Sequence, residues 1–165
     1  MLKAAFPGSF DPPTMGHINI IQRAARIFDR LELIVAENRN KKYLFSAEER
    51  VAMLRTLVRD QKNVSVDLCT GLIVDHLEKN GIPLLLRGIR GEGDFAYEFE
   101  ISVMNRALNR RIETVFMPTD PEYLVIRSSA IKEVASFGGD VSAMVPPLVC
   151  EALKAKFSAP RPFSD

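Results

Sequence analysis

A chain of 165 residues can bury about 70% of its unfolded surface; with 47% hydrophobic residues it is composed as one folded domain and not as a disordered segment. Its 22 basic and 21 acidic residues leave a formal charge of +1, so no nucleic-acid partner is expected. No run reaches membrane-spanning length, no signal-peptide pattern opens the chain, and Cys69 and Cys150 form no CxxC pair, so no membrane partner, metal knuckle or disulfide is expected and the setting is read as cytoplasmic.

The first apolar run, Leu2–Phe6, reads as a buried strand. Three prolines and two glycines then break the backbone in "FPGSFDPPTMGH", and "INIIQRAARIF" follows with Ile18, Ile21, Ala25 and Phe28 at helical spacing. Leu31–Glu37 is a second strand, followed by the polar loop "NRNKKY". Ser46 and Glu49 fit a capping box opening the helix "SAEERVAMLRTLVRD". "NVSVDLC" alternates as a third strand, and "GLIVDHLEKNG" is a helix stopped at Asn80-Gly81. "PLLLRG" is a fourth strand. From Asp94 to Arg110 a long helix presents Phe95, Phe99, Val103 and Ala107 beside Ile101, Met104 and Leu108; core packing and an interface between copies both account for that broad apolar face. "IETVFMP" is a fifth strand, "SSAIKEVASF" a helix ended by Gly138-Gly139, and "PPLVCEALKAKF" the last helix. Residues 1–157 are expected to form one domain, and 158–165 a disordered tail.

Strand–helix alternation with short links predicts an α/β fold: a doubly wound, five-stranded parallel sheet with its site at the carboxyl ends of the strands. Those ends collect the unusual residues. Ser9 and His17 follow the first strand, Arg39, Lys41 and Lys42 the second, Arg87, Gly88 and Arg90 the fourth, and Tyr123 to Ser129 the fifth. Cations, hydroxyls and helix N-termini converging on one rim suit a polyphosphate. Singly, each has a plain explanation: Lys41 and Lys42 as a solvated loop, Ser128 as a helix cap, His17 as a residue capping its own turn.

The Walker pattern, a dinucleotide GxGxxG after the first strand, HExxH and the GxSxG elbow are all absent. Of the two histidines, His76 sits inside an amphipathic helix and reads as a surface or boundary residue. His17 follows Gly16 at a helix start beside Ser9, where an imidazole can donate to a phosphoryl oxygen. "TMGH" resembles the [HT]xGH signature of the nucleotidyltransferase superfamily. "PGSFDPPTMGHINII", "NKKYLFSAEERV", "LLRGIRGEGDFAYEFEISVMNR" and "IRSSAIKEVA" together resemble the phosphopantetheine adenylyltransferases, in register from Lys3 to Phe157.

That resemblance implies a Rossmann-like nucleotidyltransferase fold and a reversible reaction, ATP and 4'-phosphopantetheine giving dephospho-coenzyme A and pyrophosphate by direct in-line attack. It implies His17, Lys41 and Ser9 as catalytic residues. Ser9, Lys41, Ile73 and Arg87 would line the phosphopantetheine site. Ser9, Phe10, His17, Gly88, Ile89, Arg90, Glu98, Tyr123, Leu124, Val125, Ile126, Arg127, Ser128 and Ser129 would hold ATP. Arg127 stands where relatives often have serine, and Ala130 where a third hydroxyl is frequent; both bear on contact with the β- and γ-phosphates. No dedicated metal-ligand set is visible, so Mg2+ is expected to arrive with ATP and no metal site of the protein's own is expected; the resemblance also implies a homohexamer and coenzyme A as a feedback ligand.

Two other readings stay open at this point. A nicotinate-nucleotide adenylyltransferase shares the first motif, although "RGIRGEGDFAYE" and the "KK" loop argue against it and against a cytidylyltransferase. A non-catalytic nucleotide-binding domain would not require Ser9, His17 and Lys41 together. A class I aminoacyl-tRNA synthetase is excluded by size and by the lack of a KMSKS-like loop.

Overall fold

Short runs rich in Leu, Ile and Val can fill both faces of a buried sheet, and here they do. The structure is a computed structural model describing residues 1–38 and 40–158. Its elements run β1 (Lys3–Gly8), α1 (Met15–Ile27), β2 (Arg30–Ala36), α2 (Ala47–Leu57), β3 (Val64–Cys69), α3 (Ile73–Lys79), β4 (Leu84–Ile89), α4 (Glu92–Leu108), β5 (Glu113–Pro118), α5 (Ser128–Ser136) and α6 (Pro147–Ser158), with a 3-10 turn at Pro121–Tyr123. All four strand pairs are parallel, in the order β3-β2-β1-β4-β5. The chain winds outward from β1 to β3, then crosses back to add β4 and β5 on the other side of β1. That reversal opens a crevice beyond the carboxyl ends of β1 and β4.

The five-stranded doubly wound sheet is the one expected; the element ends differ. β1 continues through Pro7 and Gly8, and α1 begins at Met15, three residues before Ile18. Ser46 and Glu49 form the anticipated capping box on α2. The last helix includes Ser158, and the rest of the expected tail, like Arg39, lies outside the described residues.

Alternation along the strands separates two cores. Phe6, Leu31, Leu33, Val35 and Leu86 pack with Ile20, Ile21 and Ala24 of α1 and Leu54 of α2. Ala5, Ile34 and Leu85 point the other way, onto Val74 and Leu77 of α3. Leu86 is fully buried, and its truncation to alanine would cost about 2–5 kcal/mol. A third cluster joins Ile131 of α5 and Val149 and Leu153 of α6 to Phe45 and Met53, fixing the C-terminal helices against the start of α2. The broad apolar face of α4 does not enter these cores. No residue of α4 is buried, and Phe95, Phe99, Val103, Met104 and Leu108 are all exposed.

His76 is half-buried on α3 with Nε2 2.6 Å from Glu32 Oε1, a boundary residue as expected. Glu32, Asp67 and His76 lie together, and none of them lines the crevice described next.

Candidate active site

The proline-rich loop folds back over the end of β1. Gly8 makes this possible: a β-carbon there would sit 3.0 Å from the Phe10 ring, which is itself buried. Asp11, only 4% exposed, is the loop's anchor. Its carboxylate accepts from the backbone N–H groups of Leu44 (3.0 Å) and Phe45 (2.9 Å) and from Lys132 Nζ at 2.7 Å. A buried carboxylate with three donors is fully compensated, so one residue ties the first loop to the loop after β2 and to α5. Ser128 adds a second tie, its hydroxyl donating to the Pro12 carbonyl at 3.0 Å.

Thr14 caps α1, and His17 is its N3 residue. The Thr14 side chain accepts from the His17 N–H at 3.3 Å, while His17 Nδ1 accepts from the Thr14 N–H at 3.0 Å. This is a capping box with imidazole in place of the usual carboxylate or amide. Because Nδ1 accepts a backbone proton, the neutral ring carries its own proton on Nε2. Burial, with Arg90 and Arg87 nearby, pushes the His17 pKa down from 6.5 to about 4. At neutral pH the ring is therefore an uncharged Nε2–H donor with one orientation. The Phe10 ring packs at 5.0 Å and Phe6 at 6.5 Å. Capping and donation are not alternatives: the cap fixes the tautomer that donates.

The crevice has a volume of about 570 Å³, and six cations against three carboxylates line it. Arg87 is held by Glu98 through Nε (2.7 Å) and Nη2 (2.5 Å), and by the Pro7 carbonyl through Nη1 (2.8 Å). Arg90 is held by Asp94 (2.7 and 3.2 Å) and the Ile126 carbonyl (3.1 Å). Forked pairs of this kind fix the plane of each guanidinium. Lys132 faces Asp11, and the remaining positive charge comes from Lys41, Lys42 and Arg127, all exposed.

Of the residues expected from the sequence, Ser9, Phe10, His17, Lys41, Arg87, Gly88, Arg90, Glu98, Ile126, Arg127, Ser128 and Ser129 meet on this crevice. Ile73 opens α3 and packs against the core beneath it, off the crevice wall. Ile89 ends β4, Tyr123 packs in the C-terminal cluster, and Leu124 and Val125 are exposed; these too lie off the wall. Asp11, Thr14, Tyr43, Asp94, Tyr97, Thr119 and Lys132 line the crevice without having been singled out. The Thr14-x-x-His17 spacing carried a readable signal for one of them, since it is the spacing of a capping box.

A family model described as cytidylyltransferase-like matches residues 5–134. A phosphopantetheine adenylyltransferase of Dictyoglomus thermophilum is 48% identical over 157 residues, covering 95% of this chain and 96% of that protein. One of Geobacter metallireducens is 46% identical over 158 residues, covering 96% of this chain and 97% of that protein. A solved structure from Vibrio parahaemolyticus, a candidate nicotinate-nucleotide adenylyltransferase, aligns with a TM-score of 0.67 at 24% identity, over 93% of this chain and 99% of that one, and so shares the fold. With near-full-length identity of this order to several enzymes of one name, and the TMGH histidine seated at the switch point of the sheet, the chain belongs to the phosphopantetheine adenylyltransferase family.

Proposed function

We infer that the chain transfers the adenylyl group of ATP to 4'-phosphopantetheine, forming dephospho-coenzyme A and pyrophosphate. A phosphate oxygen of phosphopantetheine forms the new bond to the α-phosphorus of ATP, and the bond from that phosphorus to the bridging oxygen of pyrophosphate breaks. The attacking group is already an anion, so no side chain need remove its proton. Catalysis then rests on positioning and on donors aimed at the charge that develops. The observation that carries the reading is the placement of His17 at the switch point, between loops rich in cations, with Nδ1 taken up by the Thr14 N–H and Nε2 left to donate.

In this reading His17 donates to the α-phosphate, Ser9 and Lys41 hold the attacking phosphate, and Arg87 lines the phosphopantetheine end. Gly88, Arg90, Glu98 and the segment from Ile126 to Ser129 hold the nucleotide. Asp11, Asp94 and Glu98 are each engaged by a cation, so Mg2+ would arrive on the triphosphate with phosphate oxygens and water as its ligands. The exposed apolar face of α4 supports a homo-oligomer, and the family suggests a hexamer with coenzyme A as a feedback ligand. Among the described residues no helix is long and apolar enough to cross a membrane, and the free cysteines Cys69 and Cys150 suit the cytoplasm.

Pyrophosphate release from ATP, measured with 4'-phosphopantetheine and separately with nicotinate mononucleotide, tests the reading. Turnover is expected with the first acceptor only. Faster turnover with the mononucleotide would overturn it.

A further inference from the structure

Arg50, on α2, has no exposed surface, and it lies outside the wall of the crevice. Taking a guanidinium out of water costs several kcal/mol unless its donors are met. They are met. Nε is shared between the carbonyls of Phe45 (3.1 Å) and Ser46 (3.2 Å), Nη1 donates to the Ser9 carbonyl at 2.8 Å, and Nη2 to Glu37 Oε1 at 3.0 Å. The Tyr43 ring lies 4.0 Å from the guanidinium carbon. Packing alone does not demand this arrangement, since an apolar side chain of similar volume is often as stabilising as a buried ion pair. What an apolar side chain cannot do is hold a carbonyl in one direction.

The carbonyl in question belongs to the Ser9–Phe10 peptide. Phe10 has φ +48°, the left-handed region that a residue with a β-carbon enters only at a cost. Its N–H donates to no acceptor among the described residues, although Phe10 is 1% exposed. In a planar trans peptide the N–H points away from the C=O. With the Ser9 carbonyl aimed at Arg50, the Phe10 N–H points away from Arg50, and Ser9 and Phe10 both line the crevice while Arg50 does not. Glu37, the one carboxylate among the partners of Arg50, directly follows β2 and roots the loop that carries Lys41.

We propose that Arg50 is a positioning residue for adenylyl transfer: it holds the Ser9–Phe10 peptide in the orientation that presents the Phe10 N–H to the substrate phosphates, and through Glu37 it ties that peptide to the Lys41 loop. The proposal rests on the adenylyltransferase reading and adds to it a residue that no substrate touches. A preorganised backbone donor misdirected by loss of its support should cost turnover more than ground-state binding.

The test compares the parent with Arg50→Lys and Glu37→Gln, using ATP and 4'-phosphopantetheine. Lysine keeps the charge without the fork that reaches four carbonyl and carboxylate partners at once. The expected result for Arg50→Lys is kcat reduced ten-fold or more, KM for ATP within about three-fold, and turnover normalised to folded protein. A fall of less than three-fold, or a rise in KM alone, overturns the proposal. Where Arg50→Lys fails to fold, Glu37→Gln decides, because that carboxylate is partly exposed: kcat lowered at least three-fold at an unchanged melting temperature supports the tie, and parental kcat overturns it. A parent that releases no pyrophosphate would instead sink the reading of the reaction.

Discussion

Replacing His17 by alanine removes two things at once, the acceptor for the Thr14 N–H and the Nε2–H donor of the crevice. Thr14 is 2% exposed, so its N–H would be stranded, at a cost of about 1–3 kcal/mol. For a chain of this length that is a fall in Tm of roughly 2–10 °C. Loss of one preorganised donor should lower kcat by on the order of 10²–10³, with the Kd for ATP changed much less. Substitution by glutamate separates the two roles. A threonine cap followed three positions later by a glutamate is a standard capping box, and a carboxylate suits the first turn of α1, which has no acidic residue. His17→Glu should therefore melt within a few degrees of the parent, yet turn over no faster than His17→Ala, because an anion would face the phosphates. The pH dependence carries a sign. Since folding lowers the His17 pKa from 6.5 to about 4, the unfolded chain binds the proton first. The stability that parental His17 contributes is fully present above pH 6.5 and is lost as pH falls toward 4, by up to about 3 kcal/mol. The stability gap between parent and His17→Ala should shrink over that window. Calorimetry and steady-state kinetics on the three proteins suffice. Turnover of His17→Ala within a few-fold of the parent, or parental turnover in His17→Glu, would refute the reasoning.

Lys41→Ala should lower kcat at little cost in stability, because Lys41 is exposed, whereas Arg87→Ala should mainly raise KM for phosphopantetheine. Steady-state kinetics in which neither parameter moves would return both residues to plain surface charge. Arg87→Ala should also melt lower than the parent, since Glu98 loses its forked partner in a half-buried position. With a net charge of +1, the protein should show no submicromolar, salt-dependent binding to duplex DNA or RNA in an anisotropy titration. A charge on the exposed face of α4, as in Met104→Asp, should yield a smaller particle in multi-angle light scattering; an unchanged mass would exclude that face as an interface.

Much of the architecture was legible because it depends on period and punctuation. The alternation of apolar runs with capped helices located the strands, and Ser46 with Glu49 marked the start of α2. His17 stood out because it follows Gly16 at a helix start, behind a loop broken by prolines and beside Ser9. Three features were not legible, each for a physical reason. Arg50 and Asp11 do not stand out in the sequence, since residue type says nothing about burial when decisive partners such as the Ser9 carbonyl and the Leu44 N–H lie more than thirty residues away. The left-handed Phe10 is invisible because nothing in its side chain favours that conformation; the loop around it imposes it. The face of α4 was recognised as apolar, yet periodicity gives only the face and not what covers it.

In the inferred reaction the crevice positions two phosphates for direct attack, with no covalent intermediate on the protein. The stereochemical course at the α-phosphorus tests that most directly, using ATP made chiral there by sulfur substitution and product configuration read by 31P NMR. A single in-line displacement predicts inversion in the dephospho-coenzyme A analogue. Net retention would require two displacements, and hence an adenylylated side chain, and would contradict direct transfer.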